Sequence, residues 1–314
     1  MNEESPLALA WSLFLRRGSE LVVPPGSEVA LGMLLALGGI EVGLATPTQE
    51  GLAEQVRVLF TQGPAAFASG LLGLGDPDPL AVAVWATLAV MVLILAGGWI
   101  NVAVAIARQH QAPAATPVPV DAAVWSAGLA GSGRVLGWNA VTLAWIVGLG
   151  LVIGQTGLLV LRTGIAAAST GAIVMPSLIG IGTAALWAFV LGAAVYYLAV
   201  ALLGAIVAVA EPQLRFVSLF ARAPKIFVAG GGWRGAGELA ALVAGWWLAK
   251  GLLAQLLIPA LGTRTGLGAD LYGVGAALLS AGLAVADGLM LLLVIQLGAV
   301  MYIRGSRQLA RELR

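Results

Sequence analysis

From Leu80 to Ala107 the chain runs for 28 residues without one charged side chain. As an α-helix rising 1.5 Å per residue, such a run is about 42 Å long. The hydrocarbon core of a bilayer is about 30 Å thick and is crossed by about 20 apolar residues. In water, a helix apolar on every side would have to be wrapped completely by other elements. This chain lacks the polar residues for that wrapping. Of its 314 residues, 60% are hydrophobic and 10% are charged, against about 45–50% and about 25% in soluble domains. Part of its solvent must therefore be lipid.

The same reasoning marks further spans. Residues 137–161 and 181–210 are charge-free. Residues 236–260 are long enough but carry Glu238 and Lys250, and residues 272–303 carry Asp287. The shortest candidate, residues 29–46, is glycine-rich and interrupted by Glu41. The expected fold is all-α: one polytopic integral membrane helix bundle over residues 1–314, with about six transmembrane helices and short interfacial helices.

Basic residues orient the bundle, because Lys and Arg are retained on the cytoplasmic side during insertion. With the N-terminus inside, twelve of the 16 Lys and Arg residues fall in inner segments. Arg57, Arg162 and Arg264 fall outside, and Lys250 lies within a span. Both termini are thus expected in the cytoplasm, with the protein multi-pass in the inner (plasma) membrane. The acidic opening Met1-Asn2-Glu3-Glu4-Ser5, followed by Arg16-Arg17 after the first apolar run, is the reverse of a secretory signal's order, and no cleaved peptide is expected.

Three inner segments, 6–17, 121–131 and 213–223, each precede a hairpin of spans. In the last, Phe216, Leu219 and Phe220 fall at helical i, i+3, i+4 spacing, while Arg215 and Arg222 share another face. That pattern suits a helix lying in the membrane plane. The segments divide the chain into possible hairpin repeats 1–108, 109–210 and 211–314, a repeat of organisation without residue-level identity. Six helices also divide into three hairpins by parity alone.

This layout resembles a group of six-helix bacterial membrane proteins similar to the membrane domain joined to some glycerophosphodiester phosphodiesterases. The residues that carry the resemblance are Glu211-Pro212-Gln213-Leu214-Arg215, the following Phe216–Lys225, and Trp233-Arg234 opening the fifth span. It covers the chain in outline and residues 211–303 most clearly. It implies a membrane domain and carries over no catalytic residue. The soluble phosphodiesterase part has no counterpart in the sequence.

Charged groups at membrane depth are the candidate site. A lone charge there costs several kcal/mol unless it is partnered or wetted. Lys250 lies 14 residues beyond Ala236, about 21 Å into its helix, and Asp287 lies 16 residues before Ile303, about 24 Å. The two spans are sequential and antiparallel, so the opposite charges reach nearly the same depth and are expected to pair. Such a pair either locks two helices in register or relays an ion or proton. Glu41 is a possible further carboxylate in the same layer.

Gly237, Ala241, Gly245 and Ala249 on the fifth span, and Ser280, Ala284 and Gly288 on the sixth, form small-residue ridges that would let the two helices approach closely. Trp85, Trp138, Trp187 and Trp233 sit near span ends, where amphipathic rings anchor at headgroups. With no cysteine and one histidine, His110, a thiolate or multi-histidine metal site within the chain is excluded. His110 reads as a solvated loop residue rather than an axial ligand. No phosphate loop, zinc-protease helix or nucleophile elbow occurs.

Net charge of +1 gives no footprint for nucleic acid. The expected role is a non-enzymatic membrane scaffold or accessory subunit of a larger assembly. Its partners would be the lipid bilayer and other membrane subunits, with no cofactor. The competing role is a small-solute or ion transporter or channel using Lys250 and Asp287.

Overall fold

In a computed structural model, residues 5–22, 79–111, 120, 122–145, 148, 174–230, 232–260 and 267–312 are described. The expected span over residues 29–46, and Glu41 with it, lies outside them. The described elements are helices: α1 (Pro6–Val22), α2 (Pro79–His110), α3 (Ala122–Ala130), α4 (residues 132–145), α5 (Val174–Ala210), a 3-10 turn (Phe216–Ser218), α6 (Leu219–Ala229), α7 (Gly232–Ala260) and α8 (Leu267–Glu312). Among the described residues three stretches are long and apolar enough to cross a membrane: Val90–His110, Ala188–Ala210 and Val285–Glu312. The protein is an all-α, multi-pass membrane helix bundle, with three candidate transmembrane helices among the described residues.

Local chemistry sets several boundaries. Pro79 opens α2, where a missing N–H is harmless because the first turn has no acceptor for it. Gly230 ends α6, its N–H donating to Ile226 O at 2.7 Å. Gly232 then takes φ +50°, a left-handed conformation that glycine adopts without steric penalty, and starts α7 in a new direction.

The chain divides into two compact units. One comprises Met1–Val42, Ala83–Asn139 and Leu198–Arg314, the other Gly43–Val82 and Ala140–Tyr197. In the second, the described residues are helical, and Tyr196 and Tyr197 meet edge to face at 5.7 Å.

In the first unit, α1, α6 and α7 all pack against α8. Helices α1 and α6 are amphipathic. α1 turns Leu9, Ala10, Leu13 and Leu21 inward and leaves Trp11 and Leu15 exposed. α6 buries Leu219, Ala223, Ile226 and Phe227 at helical spacing and leaves Phe220 and Val228 exposed. Hydrogen bonds over long sequence distances tie α1 down. Leu7 N–H donates to Glu238 Oε2 at 2.8 Å, placing a carboxylate at the positive end of α1. Arg17 Nη1 donates to Gln109 Oε1 at 2.8 Å, and Val120 N–H donates to Glu20 Oε2 at 3.1 Å.

The middle of the three inner segments, which holds α3, differs from the last. Helix α3 is apolar on all sides and runs antiparallel along α2 rather than presenting an amphipathic face. Asn101 Nδ2 donates to Val124 O at 2.7 Å, and Ser132 Oγ donates to Ile94 O at 2.5 Å. Between these bonds Trp125 lies over Gly98, and the absence of a β-carbon there makes the contact possible.

Trp138 departs from its expected headgroup position as well. It is 3% exposed, lies against Gly204 of α5, and donates Nε1–H to Ala201 O at 2.8 Å. Once that N–H is satisfied inside the bundle, the indole behaves as a large apolar core residue. Trp233 is exposed.

The ridge on α7 faces away from the packed interior. Gly237, Ala241 and Gly245 are exposed, and a β-carbon added at Gly237 or Gly245 would meet nothing within 4 Å. Three of the four ridge residues on α7 therefore stand outside the seam with α8 that their spacing implied, while Ala249 is half-buried. An apolar helix shows hydropathy the same surface whether a face meets protein or lipid.

Candidate functional site

Helices α7 and α8 bring Lys250 and Asp287 together. Lys250 Nζ lies 2.7 Å from Asp287 Oδ2. The second carboxylate oxygen is also engaged: Trp246 Nε1–H donates to Oδ1 at 2.7 Å. Trp246 precedes Lys250 by one helical turn, so both donors stand on the same face of α7. Trp246 was given no role at this site from the sequence. Its i, i+4 relation to Lys250 was the signal available.

Lys250 lies 16 residues from Arg234 and Asp287 lies 17 residues from Arg304. By helical rise, these are about 24 Å and 26 Å from the basic ends of α7 and α8. Nearly equal depth is what lets two short-reaching groups meet across an antiparallel pair. The side chains keep 18% and 28% of their surface accessible. Attraction and hydrogen bonding offset the desolvation of both charges only when the geometry is good. Here each oxygen of the carboxylate has a donor.

A second polar cluster sits where α5 ends. Glu211 accepts from Arg222, whose Nη2 lies 3.1 Å from Oε1, and from the Tyr302 hydroxyl at 3.1 Å. Arg134 donates Nη2 to Leu214 O at 2.8 Å and Nη1 to Glu211 O at 3.3 Å. One carboxylate and its backbone thus join residues of α4, α6 and α8 to the end of α5. In the sequence Glu211 entered only through the resemblance and was assigned no partner. Contacts 77 to 91 residues apart leave no periodic trace.

Glu238 meets Arg234, its i−4 neighbour, at 3.3 Å, and in addition holds the start of α1. Glu20 pairs with Arg17 at 2.6 Å. Its carboxyl is held below the usual carboxylate range, chiefly by the Arg17 hydrogen bond, with burial opposing and the Val120 N–H assisting.

Other polar residues stay apart from these clusters. His110 is the exposed last residue of α2. Asn139 Nδ2 donates to Val135 O within its own helix at 2.8 Å. Gln296 is fully buried on α8, and among the described residues neither its amide oxygen nor its nitrogen has a hydrogen-bond partner. Trp99 Nε1 on α2 is in the same position. Among the described residues no three His, Cys, Asp or Glu side chains gather at metal-binding distance.

The arrangement holds a pair of opposite charges, Lys250 and Asp287, within the apolar part of a bundle, with Trp246 as a neutral donor to the carboxylate, and it keeps further polarity buried at Gln296. No protein-family model, no curated protein and no solved structure matches this chain. None of these comparisons supports the resemblance to phosphodiesterase-linked membrane domains.

Proposed function

We propose that the protein passes an ion or small polar solute across the bilayer, with Lys250 and Asp287 handling its charge. The observation that carries this reading is the partly accessible Lys250–Asp287–Trp246 cluster, about 24–26 Å from the basic helix ends. Ionisable groups at such depth mark ion and proton pathways in membrane bundles. The unpartnered amide of Gln296 supports it, since each unmet buried polar group costs about 1–3 kcal/mol that packing alone does not require. On this reading the protein is not an enzyme. It forms about six spans in the inner membrane, with both termini cytoplasmic.

The test is flux through the purified protein reconstituted in vesicles, under imposed proton, alkali-cation and chloride gradients. The wild type should carry at least one of these above protein-free vesicles. A Lys250→Met/Asp287→Leu double variant should fold and lose that flux. Equal flux in both proteins, or none in either, refutes transport through this cluster. For the topology, cysteines at Gln62 and Ser306 should label from opposite sides of sealed cells.

A second reading has its own observation. The exposed small-residue face of α7, with Gly237, Ala241 and Gly245, is shaped to receive another helix closely. That suits a scaffold or accessory subunit of a larger membrane assembly. In that case the double variant keeps both its partners and its biological role.

A further inference from the structure

The ends of α2 and α8 enclose a cleft of about 230 Å³ lined by Arg108, Tyr302, Ile303, Ser306, Arg307 and Ala310. We propose that this cleft binds the phosphate group of an anionic phospholipid, held between the guanidinium groups of Arg108 and Arg307.

Position makes the first part of the case. Both helices carry candidate spans, Val90–His110 and Val285–Glu312. Arg108 lies 18 residues beyond Val90, about 27 Å along the helix, so the cleft opens where a full span leaves the hydrocarbon. Lipid phosphates lie at that level, and basic residues there select anionic headgroups.

Chemistry makes the second part. Among the described residues, no hydrogen bond or ion pair occupies the Arg108 guanidinium, and Arg108 is exposed. Arg307 gives one N–H to Gln111 O at 3.1 Å, leaving the rest of its five donors for a ligand. The other polar groups of the cleft are committed elsewhere. The Tyr302 hydroxyl donates to Glu211, and the Ser306 hydroxyl donates to Tyr302 O at 2.7 Å. The nearby Glu211 carboxylate is itself occupied by Arg222 and Tyr302. What remains to a ligand is two forked cations beside the apolar side chains of Ile303 and Ala310. Planar guanidinium groups match phosphate oxygens in pairs, and the apolar wall suits the start of an acyl-bearing glycerol better than a free, fully hydrated ion. Arg311 in the last turn of α8 adds to the positive field.

The test uses the full-length protein in a neutral detergent, with native mass spectrometry of retained phosphatidylglycerol and phosphatidylcholine. Wild type should retain phosphatidylglycerol preferentially. The Arg108→Gln/Arg307→Gln variant should lose that preference by roughly 10- to 30-fold, the effect expected for two basic contacts near a headgroup. Ala310→Trp keeps both charges but fills the cleft, and should lose it as well. Excess inorganic phosphate should not displace the lipid. Displacement by inorganic phosphate at low millimolar concentration would reassign the cleft to a soluble anion and overturn the lipid proposal. Undiminished preference in either variant, or no preference in the wild type, overturns phosphate binding here altogether.

Discussion

Replacing Lys250 with methionine removes the charge and keeps most of the side-chain volume. It leaves the Asp287 carboxylate with one of its two donors, Trp246 Nε1–H at 2.7 Å. Breaking a buried pair by removing one partner costs about 3–5 kcal/mol. The 28% of the Asp287 side chain that stays accessible lowers the figure if water reaches it, so about 2–4 kcal/mol is expected. Asp287→Leu takes the carboxylate away from Lys250 and also removes the acceptor of the Trp246 N–H, whose loss adds about 1–3 kcal/mol. The double variant removes both charges of the pair. A well-packed apolar replacement of an ion pair is often neutral or better, so most of the loss should be recovered, apart from the indole. The indole loss cancels between Asp287→Leu and the double variant, so the coupling energy is at least about 2 kcal/mol, a value expected of contacting residues. Equilibrium unfolding of all four proteins in mixed micelles measures it. Single-variant losses that add in the double variant would falsify the contribution of a direct pair, whatever the 2.7 Å separation.

Three further outcomes follow from the same packing. Gly204→Ala should drive a methyl group into the Trp138 indole and cost about 1–3 kcal/mol by overpacking; an unchanged unfolding temperature and tryptophan emission would refute the contact. Glu238→Ala removes the acceptor at the start of α1 and should cost about 0.5–2 kcal/mol. Faster hydrogen exchange should then be confined to α1, and a uniform change across the bundle would contradict this role. Glu20 has its folded carboxyl lowered by Arg17, so its contribution is complete above the unfolded value of about 4.3 and is lost as pH falls through the lower folded value. Exchange in α1 should therefore rise on acidification below about pH 4.3, and Glu20→Gln should flatten that response; an identical pH response in the variant would exclude Glu20 as its source.

The class of the fold was legible because bilayer thickness converts directly into a count of residues. Leu80 to Ala107 could be assigned to membrane without knowing any neighbour. Helical rise along two antiparallel spans likewise puts Lys250 and Asp287 at one depth, because a charge stands out against an apolar background. The limits of that logic show at α7. The ridge of Gly237, Ala241 and Gly245 has the spacing of a helix–helix seam, yet it faces outward. In a helix apolar on every face, no amphipathic stripe distinguishes lipid from protein.

By itself, then, the sequence determined an all-α membrane bundle, the charge-bearing helices and the depth of their charges. All three follow from quantities local to one helix: its length, its hydropathy and its rise per residue. Only tertiary structure decided that Trp246 completes the coordination of Asp287, that Glu238 holds a helix 231 residues away, and that Glu211 joins elements of four helices. It also decided that α3 packs along α2 and that Trp138 is interior. These contacts depend on the rotation of each helix about its axis and on which helices become neighbours. Close packing at particular positions, such as Trp125 over Gly98 and Trp138 against Gly204, selects both, whereas hydropathy is indifferent to them.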